Sequence, residues 1–144
     1  MIEPIWFKKD LRIDDFKHWL DNTMAEALNM EFTGIGPDYL CAKMPVTNAS
    51  RQPYGFLHGG ASVALAETMG SLCSALTVDP EKQISLGIEI NANHVRTIRE
   101  GYVYGRCSPY TLGATIQIWN IEIRDEQDRL ICISRHTVII RKKA

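Results

Sequence analysis

The sequence has almost no excess charge: 16 Lys and Arg stand against 17 Asp and Glu, for a net of -1. Such a surface gives no reason to expect a nucleic-acid or acidic-lipid partner, because both are held by a cationic surplus. Long hydrophobic runs are also missing. The most apolar stretch, 61–78, is interrupted by Ser62, Glu67, Thr68, Gly70, Ser71 and Ser74, which argues against a membrane span. The first residues carry Glu3, Lys8, Lys9 and Asp10 with no apolar core, so no secretory signal is expected. Closely spaced cysteines are lacking too. Cys41, Cys73, Cys107 and Cys132 lie far apart within apolar runs, with no C-x-x-C pair, as reduced core thiols of a cytoplasmic protein do rather than metal ligands or disulfides. No repeat, linker or low-complexity segment divides the chain. One domain over 1–144 is expected, large enough to bury a real core.

What is present is a change of period along the chain. Residues 13–28 read as a helix, with Asp14 and Asp15 at its start and Phe16, Trp19, Leu20 and Met24 at roughly helical spacing. Residues 30–46 read as a hairpin around Gly34-Ile35-Gly36-Pro37-Asp38. A polar loop, 47–57, leads into a second helix over 59–78 that is apolar nearly all round, as a helix buried on most sides would be. Beyond Pro80 the period becomes two: Ile84, Leu86, Ile88, Ile90 and Ala92 alternate with polar residues along one half-buried strand. Strands over 102–110, 115–124 and 129–141 follow, joined by tight connections at Gly113 and 125–128, so antiparallel neighbours are expected. A change of apolar phase between Ile118 and Trp119 predicts a bulge in the middle one. The order implies an α+β domain with an antiparallel sheet curled around one central helix.

The residue that points to chemistry is Glu67. It is the only carboxylate in a small, apolar helix, and an ionised Glu buried there is costly unless paired or used. At the start of the same helix, Gly59-Gly60 offers backbone N–H groups where unpaired donors and the helix dipole favour negative charge. A carboxylate and an oxyanion donor on one helix suggest acyl chemistry, with an ion pair to a core Arg as the plain structural alternative for Glu67.

The run Gln52-Pro53-Tyr54-Gly55-Phe56-Leu57-His58-Gly59-Gly60, then Ala66-Glu67, then Asn91-Ala92-Asn93-His94-Val95-Arg96, resembles the hotdog-fold acyl-CoA thioesterases. The similar branch contains 1,4-dihydroxy-2-naphthoyl-CoA hydrolase, 4-hydroxybenzoyl-CoA thioesterase and phenylacetate-pathway thioesterases, and the resemblance spans about residues 28–140. It implies a hotdog fold and Glu67 as general base or nucleophile, with the Gly59 N–H as oxyanion donor. Gln52 would position the water or hold the thioester. His58 would donate to the carbonyl or buttress the loop, and Thr68 and Ser71 would line the acyl site or simply bond the helix backbone. Coenzyme A needs cations for its phosphates, and His94, Arg96 and Arg99 stand where a long strand ends; pairing with Glu100 is the alternative.

The expectation is therefore a cytoplasmic acyl-CoA thioesterase, without metal or cofactor, acting on an aromatic or bulky acyl group such as 1,4-dihydroxy-2-naphthoyl-CoA of menaquinone synthesis. A hotdog hydratase or dehydratase and a non-catalytic acyl-CoA sensor are the rivals. Eight residues separate Gly59 from Glu67, about 12 Å of helix rise, too far to serve one carbonyl easily. Shared sites in a homodimer follow, and the resemblance adds pairing of dimers into a homotetramer.

Overall fold

A computed structural model describes residues 1–144. Six strands form one antiparallel sheet: β1 (Glu31–Ile35), β2 (Leu40–Pro45), β3 (Gln83–His94), β4 (Tyr102–Leu112), β5 (Ile116–Arg124) and β6 (Leu130–Lys142). Their spatial order is β1-β2-β4-β5-β6-β3, so β1 and β3 are the edges. Across the concave face runs the helix Gly59–Thr77, called α2 because the single turn Met24–Ala27 (α1) precedes it. It packs against every strand from β2 to β6. Leu65, Ala66, Met69 and Cys73 enter a core with Val103, Cys107, Trp119, Ile121, Ile123 and Val138. All four cysteines are free, and burial pushes the Cys132 thiol up to about 11 and holds Cys73 well above its ordinary value.

The single helix expected over 13–28 is replaced by two 3₁₀ turns, Ile13–Asp15 and Lys17–Leu20, followed by α1. Polar side chains break it. The Thr23 hydroxyl donates to the Leu20 carbonyl at 2.6 Å and accepts from the Ala25 N–H, while Asn22 sits at φ 58°, a left-handed geometry no helix interior tolerates. Phe16 and Leu20 still reach the core, but Trp19 and Met24 are exposed. Upstream, buried Trp6 donates its indole N–H to the Gly36 carbonyl at 2.7 Å, tying the N-terminus to the β1–β2 turn.

Two strand expectations also change. The bulge opposite Ile118 and Trp119 belongs to β4, where Tyr110 is the extra residue, and β5 keeps strict alternation. The apparent phase change comes from Gln117, a buried amide that accepts from the Ser74 hydroxyl at 2.6 Å and from Trp119 Nε1 at 3.3 Å, and donates to Thr77 Oγ1 at 2.9 Å. A satisfied polar group can occupy a core position. In β3 the pairing shifts at Ile88, between Gly87 and Glu89, so the five apolar residues do not share a face. Ile84 and Leu86 point to the outer face, whereas Ile90 and Ala92 lie beside His136 and Ser134 on the inner one. Ile84, Leu86 and Ile88 are all exposed.

At the β5–β6 turn, Asp125 is buried at 4 % exposure. It accepts from the Gln127 and Arg129 N–H groups and from Arg129 Nε at 2.7 Å. Burial alone would raise its pKa, but these hydrogen bonds outweigh it and hold the carboxyl below the ordinary value.

Candidate active site

The start of α2 forms one wall of a cleft of about 630 Å³, lined by Gln52, Gly59, Ser62, His94 and Arg96 together with apolar side chains. His58 is the N-cap residue: its Nδ1 accepts from the Gly60 N–H at 2.7 Å, and its carbonyl accepts from the Ala61 and Ser62 N–H groups. Every N–H of the first turn is thereby satisfied except that of Gly59, which has no partner in the chain and opens on the cleft. The His58 ring is thus a cap, and in its neutral form the remaining proton lies on Nε2. Gly59 also permits a close approach, since a methyl there would lie 2.8 Å from His94 Nε2.

The loop before the helix is held rigidly. Gly55, at φ 86°, turns the chain back so that the Gln52 N–H donates to the Phe56 carbonyl at 2.8 Å. Gln52 Oε1 accepts from the Tyr54 N–H, which leaves its amide NH₂ available to the cleft. Arg51 Nε and Nη2 donate to the Arg99 carbonyl, at 3.1 and 3.0 Å. Arg99 in return donates to the Tyr54 carbonyl at 3.0 Å and stacks on Phe56 at 4.0 Å. Arg99 therefore spends its side chain on clamping the loop. Arg96 lines the cleft and forms no ion pair within the chain, with Glu100 or any other acid.

Glu67 lies two turns further along α2, and here the structure corrects an expectation. It is exposed, and the helix is buried along one side only. One sheet wraps one side of a helix, and the other, carrying Val63, Ala64, Glu67, Thr68 and Ser71, remains partly open within a single protomer. No core Arg pairs with Glu67. Ser71, one turn on and on the same face, lies 3.0 Å from Nε2 of His136. Thr68 is half-buried beside them.

Gln52, Gly59, His94 and Arg96 thus come together at one end of the helix and Glu67, Thr68 and Ser71 gather further along it, while His58 and Arg99 support the first group. His136, fully buried on β6, was not singled out from the sequence. Its place in the inward phase Cys132, Ser134, His136, Val138 is the signal that could have found it.

A model of the thioesterase superfamily matches residues 54–132. The 1,4-dihydroxy-2-naphthoyl-CoA hydrolase of Escherichia coli is 46% identical to the chain, over 94% of it and 98% of the relative. A crystal structure of a thioesterase from Haemophilus influenzae, 41% identical, superposes with a TM-score of 0.90 over 96% of this chain and 95% of its own. A protein from Staphylococcus aureus, crystallised as a Glu-to-Ala variant, is 37% identical and superposes with a TM-score of 0.81 over 84% of this chain and 100% of its own. Matched in family, sequence and fold, this chain belongs to the thioesterase superfamily and is a hotdog-fold thioester hydrolase.

Proposed function

We propose that the chain hydrolyses acyl-CoA thioesters with an aromatic or bulky acyl group, 1,4-dihydroxy-2-naphthoyl-CoA being the substrate suggested by the Escherichia coli relative. The observation that carries this reading is the unpartnered Gly59 N–H, which opens on a cleft holding a free Gln52 amide and an unpaired Arg96. The N–H receives the oxyanion, and one such donor contributes roughly 3–4 kcal/mol to a hydrolytic transition state. Gln52 holds the thioester or the water. Arg96 and His94 face the coenzyme A phosphates, while Arg99 holds the loop that carries Gln52. Glu67 acts as general base or nucleophile, and Thr68 and Ser71 line the acyl site around it. The roles assigned here use groups of the polypeptide alone, so the proposed reaction calls for no metal or cofactor, and the four free cysteines fit a cytoplasmic enzyme.

Gly59 and Glu67 serve the same carbonyl only across two chains. The unpaired edge of β3 and its exposed Ile84, Leu86 and Ile88 support this, because an apolar edge strand invites pairing with another strand. An isologous β3–β3 contact would cover both edges and bring the cleft of one protomer toward Glu67 of the other. Pairing of two such dimers gives the tetramer. The Staphylococcus aureus relative has been crystallised both as a Glu-to-Ala and as a Gln-to-Ala variant, its two altered residues as far apart in sequence as Gln52 and Glu67 are here.

Thiol release from a panel of aryl, short-chain and long-chain acyl-CoAs, for wild type and Glu67→Ala, tests the assignment. Release should be fastest with aryl esters and fall by orders of magnitude in Glu67→Ala, while the melting temperature holds or rises. Wild-type release by Glu67→Ala would falsify the role of this carboxylate. Addition of water to an enoyl-CoA, without thiol release, would favour a hydratase.

A further inference from the structure

His136 is buried on β6 with both ring nitrogens engaged. Nδ1 lies 2.9 Å from the Glu89 backbone carbonyl, and Nε2 lies 3.0 Å from the Ser71 hydroxyl oxygen. A carbonyl can only accept, so Nδ1 carries the proton and donates it. In the neutral ring Nε2 is then bare and accepts, and the Ser71 hydroxyl must be the donor to it. A hydroxyl has one proton. With that proton committed to His136, Ser71 turns only lone pairs toward the face of α2 that bears Glu67.

We propose that His136 is a positioning residue that fixes Ser71 as a pure hydrogen-bond acceptor for the attacking water, so that the second proton of that water is left to Glu67. The inference rests on the reading of Glu67 as general base. Gly87 permits the close approach: a methyl there would lie 2.6 Å from His136 Cε1 and 3.2 Å from Glu67 Oε1, so imidazole and carboxylate both border the bare Cα of this glycine on β3. A water held between Glu67 and Ser71, one turn apart on the open face of α2, has an acceptor for each proton, which points its free lone pair away from both and toward the acyl carbon. The Ser71–His136–Glu89 chain has the form of a nucleophile, a base and an orienting group. Here the hydroxyl serves as an acceptor instead.

Protonation of His136 reverses the arrangement. Nε2–H then donates to Ser71, whose own proton must turn outward, to Glu67 or to the water, and the acceptor is lost. The groups facing the ring are Glu67, Gly70 and Ser71 from α2, Gly87, the Glu89 carbonyl and Ile90 from β3, and Trp119, its pair on β5. Glu67 is the one charged side chain among them. The carboxylate of Glu89 is bonded to Asn91 at 3.0 Å.

The test combines kinetics with a spectroscopic readout. His136→Leu should lower kcat about 10-fold or more with KM within about twofold, because the contact orients a water and not the substrate. His136→Gln, whose amide oxygen can accept from Ser71 but cannot titrate, should recover most of kcat. In a Ser71→Ala background, His136→Leu should have no further effect on kcat. Nitrogen-15 chemical shifts of the wild-type ring should show a protonated Nδ1 and a bare Nε2, a result independent of any role for Glu67. Wild-type kcat in His136→Leu, an equal loss in both backgrounds, a protonated Nε2 at neutral pH, or an acyl group trapped on Ser71 would each overturn the proposal. Activity in Glu67→Ala would remove the base reading, and the nitrogen shifts would then report on the Ser71–His136 bond alone.

Discussion

Gly87 and Glu67 meet so closely between β3 and α2 that a single methyl on the glycine would stand 3.2 Å from the carboxylate Oε1. The same methyl would be 2.6 Å from Cε1 of buried His136, closer than carbon atoms pack, so the ring must move. Overpacking of this kind costs about 1–3 kcal/mol. Gly87→Ala should lower the melting temperature modestly and lower kcat roughly 10- to 100-fold, since small misplacements of reacting groups are expensive. Steady-state kinetics beside a thermal melt checks this. Unchanged kcat would mean that the space above Gly87 is not part of the reaction.

Shared sites have a consequence that no single-chain site has. Glu67→Ala chains and Gly59→Pro chains, the latter lacking the free N–H, should each be inactive. Purified mixed dimers place both defects in one site and none in the other. They should recover up to about half of wild-type activity. A verified, folded mixed dimer with no activity would place each site within one chain.

Arg96→Ala should raise KM for full coenzyme A esters with little change in kcat, because a phosphate contact is alike in ground and transition states. With pantetheine esters, which lack the nucleotide, the substitution should do nothing. Equal losses on both substrates would argue against phosphate binding. Arg99→Ala should behave differently, losing kcat as well, since Arg99 holds Tyr54 and Phe56 of the loop that aims Gln52.

The Asp125 turn makes stability sensitive to acid. Hydrogen bonds from Arg129 and Gln127 keep its folded pKa below the ordinary value of 3.8, so the unfolded chain takes up the proton first as pH falls. Its contribution is complete above the unfolded pKa and is lost as pH falls through the folded one. Urea midpoints measured from pH 6 downward should decline less steeply in Asp125→Asn than in wild type. Parallel declines in the two proteins would show that other carboxylates set the acid limit.

Much of this molecule was legible from its residues. Period-two patterning located the strands, and the small apolar run from Gly59 located the central helix, because both signals are local and one face of each element must be buried. The motif around His58-Gly59-Gly60 and Glu67 marked the family for the same reason: a helix start and a carboxylate two turns on are fixed by spacing alone. Other features depended on partners distant in sequence. Whether 13–28 formed one helix turned on which backbone groups the Thr23 and Asn22 region would satisfy. The phase of β3 turned on a bulge that only pairing with β6 reveals. That Glu67 faces outward, that Arg99 clamps a loop, and that His136 reaches Ser71 across sixty-five residues of chain were decided by tertiary structure. A side chain's type limits the bonds it can make, but only packing decides which of the possible partners arrives.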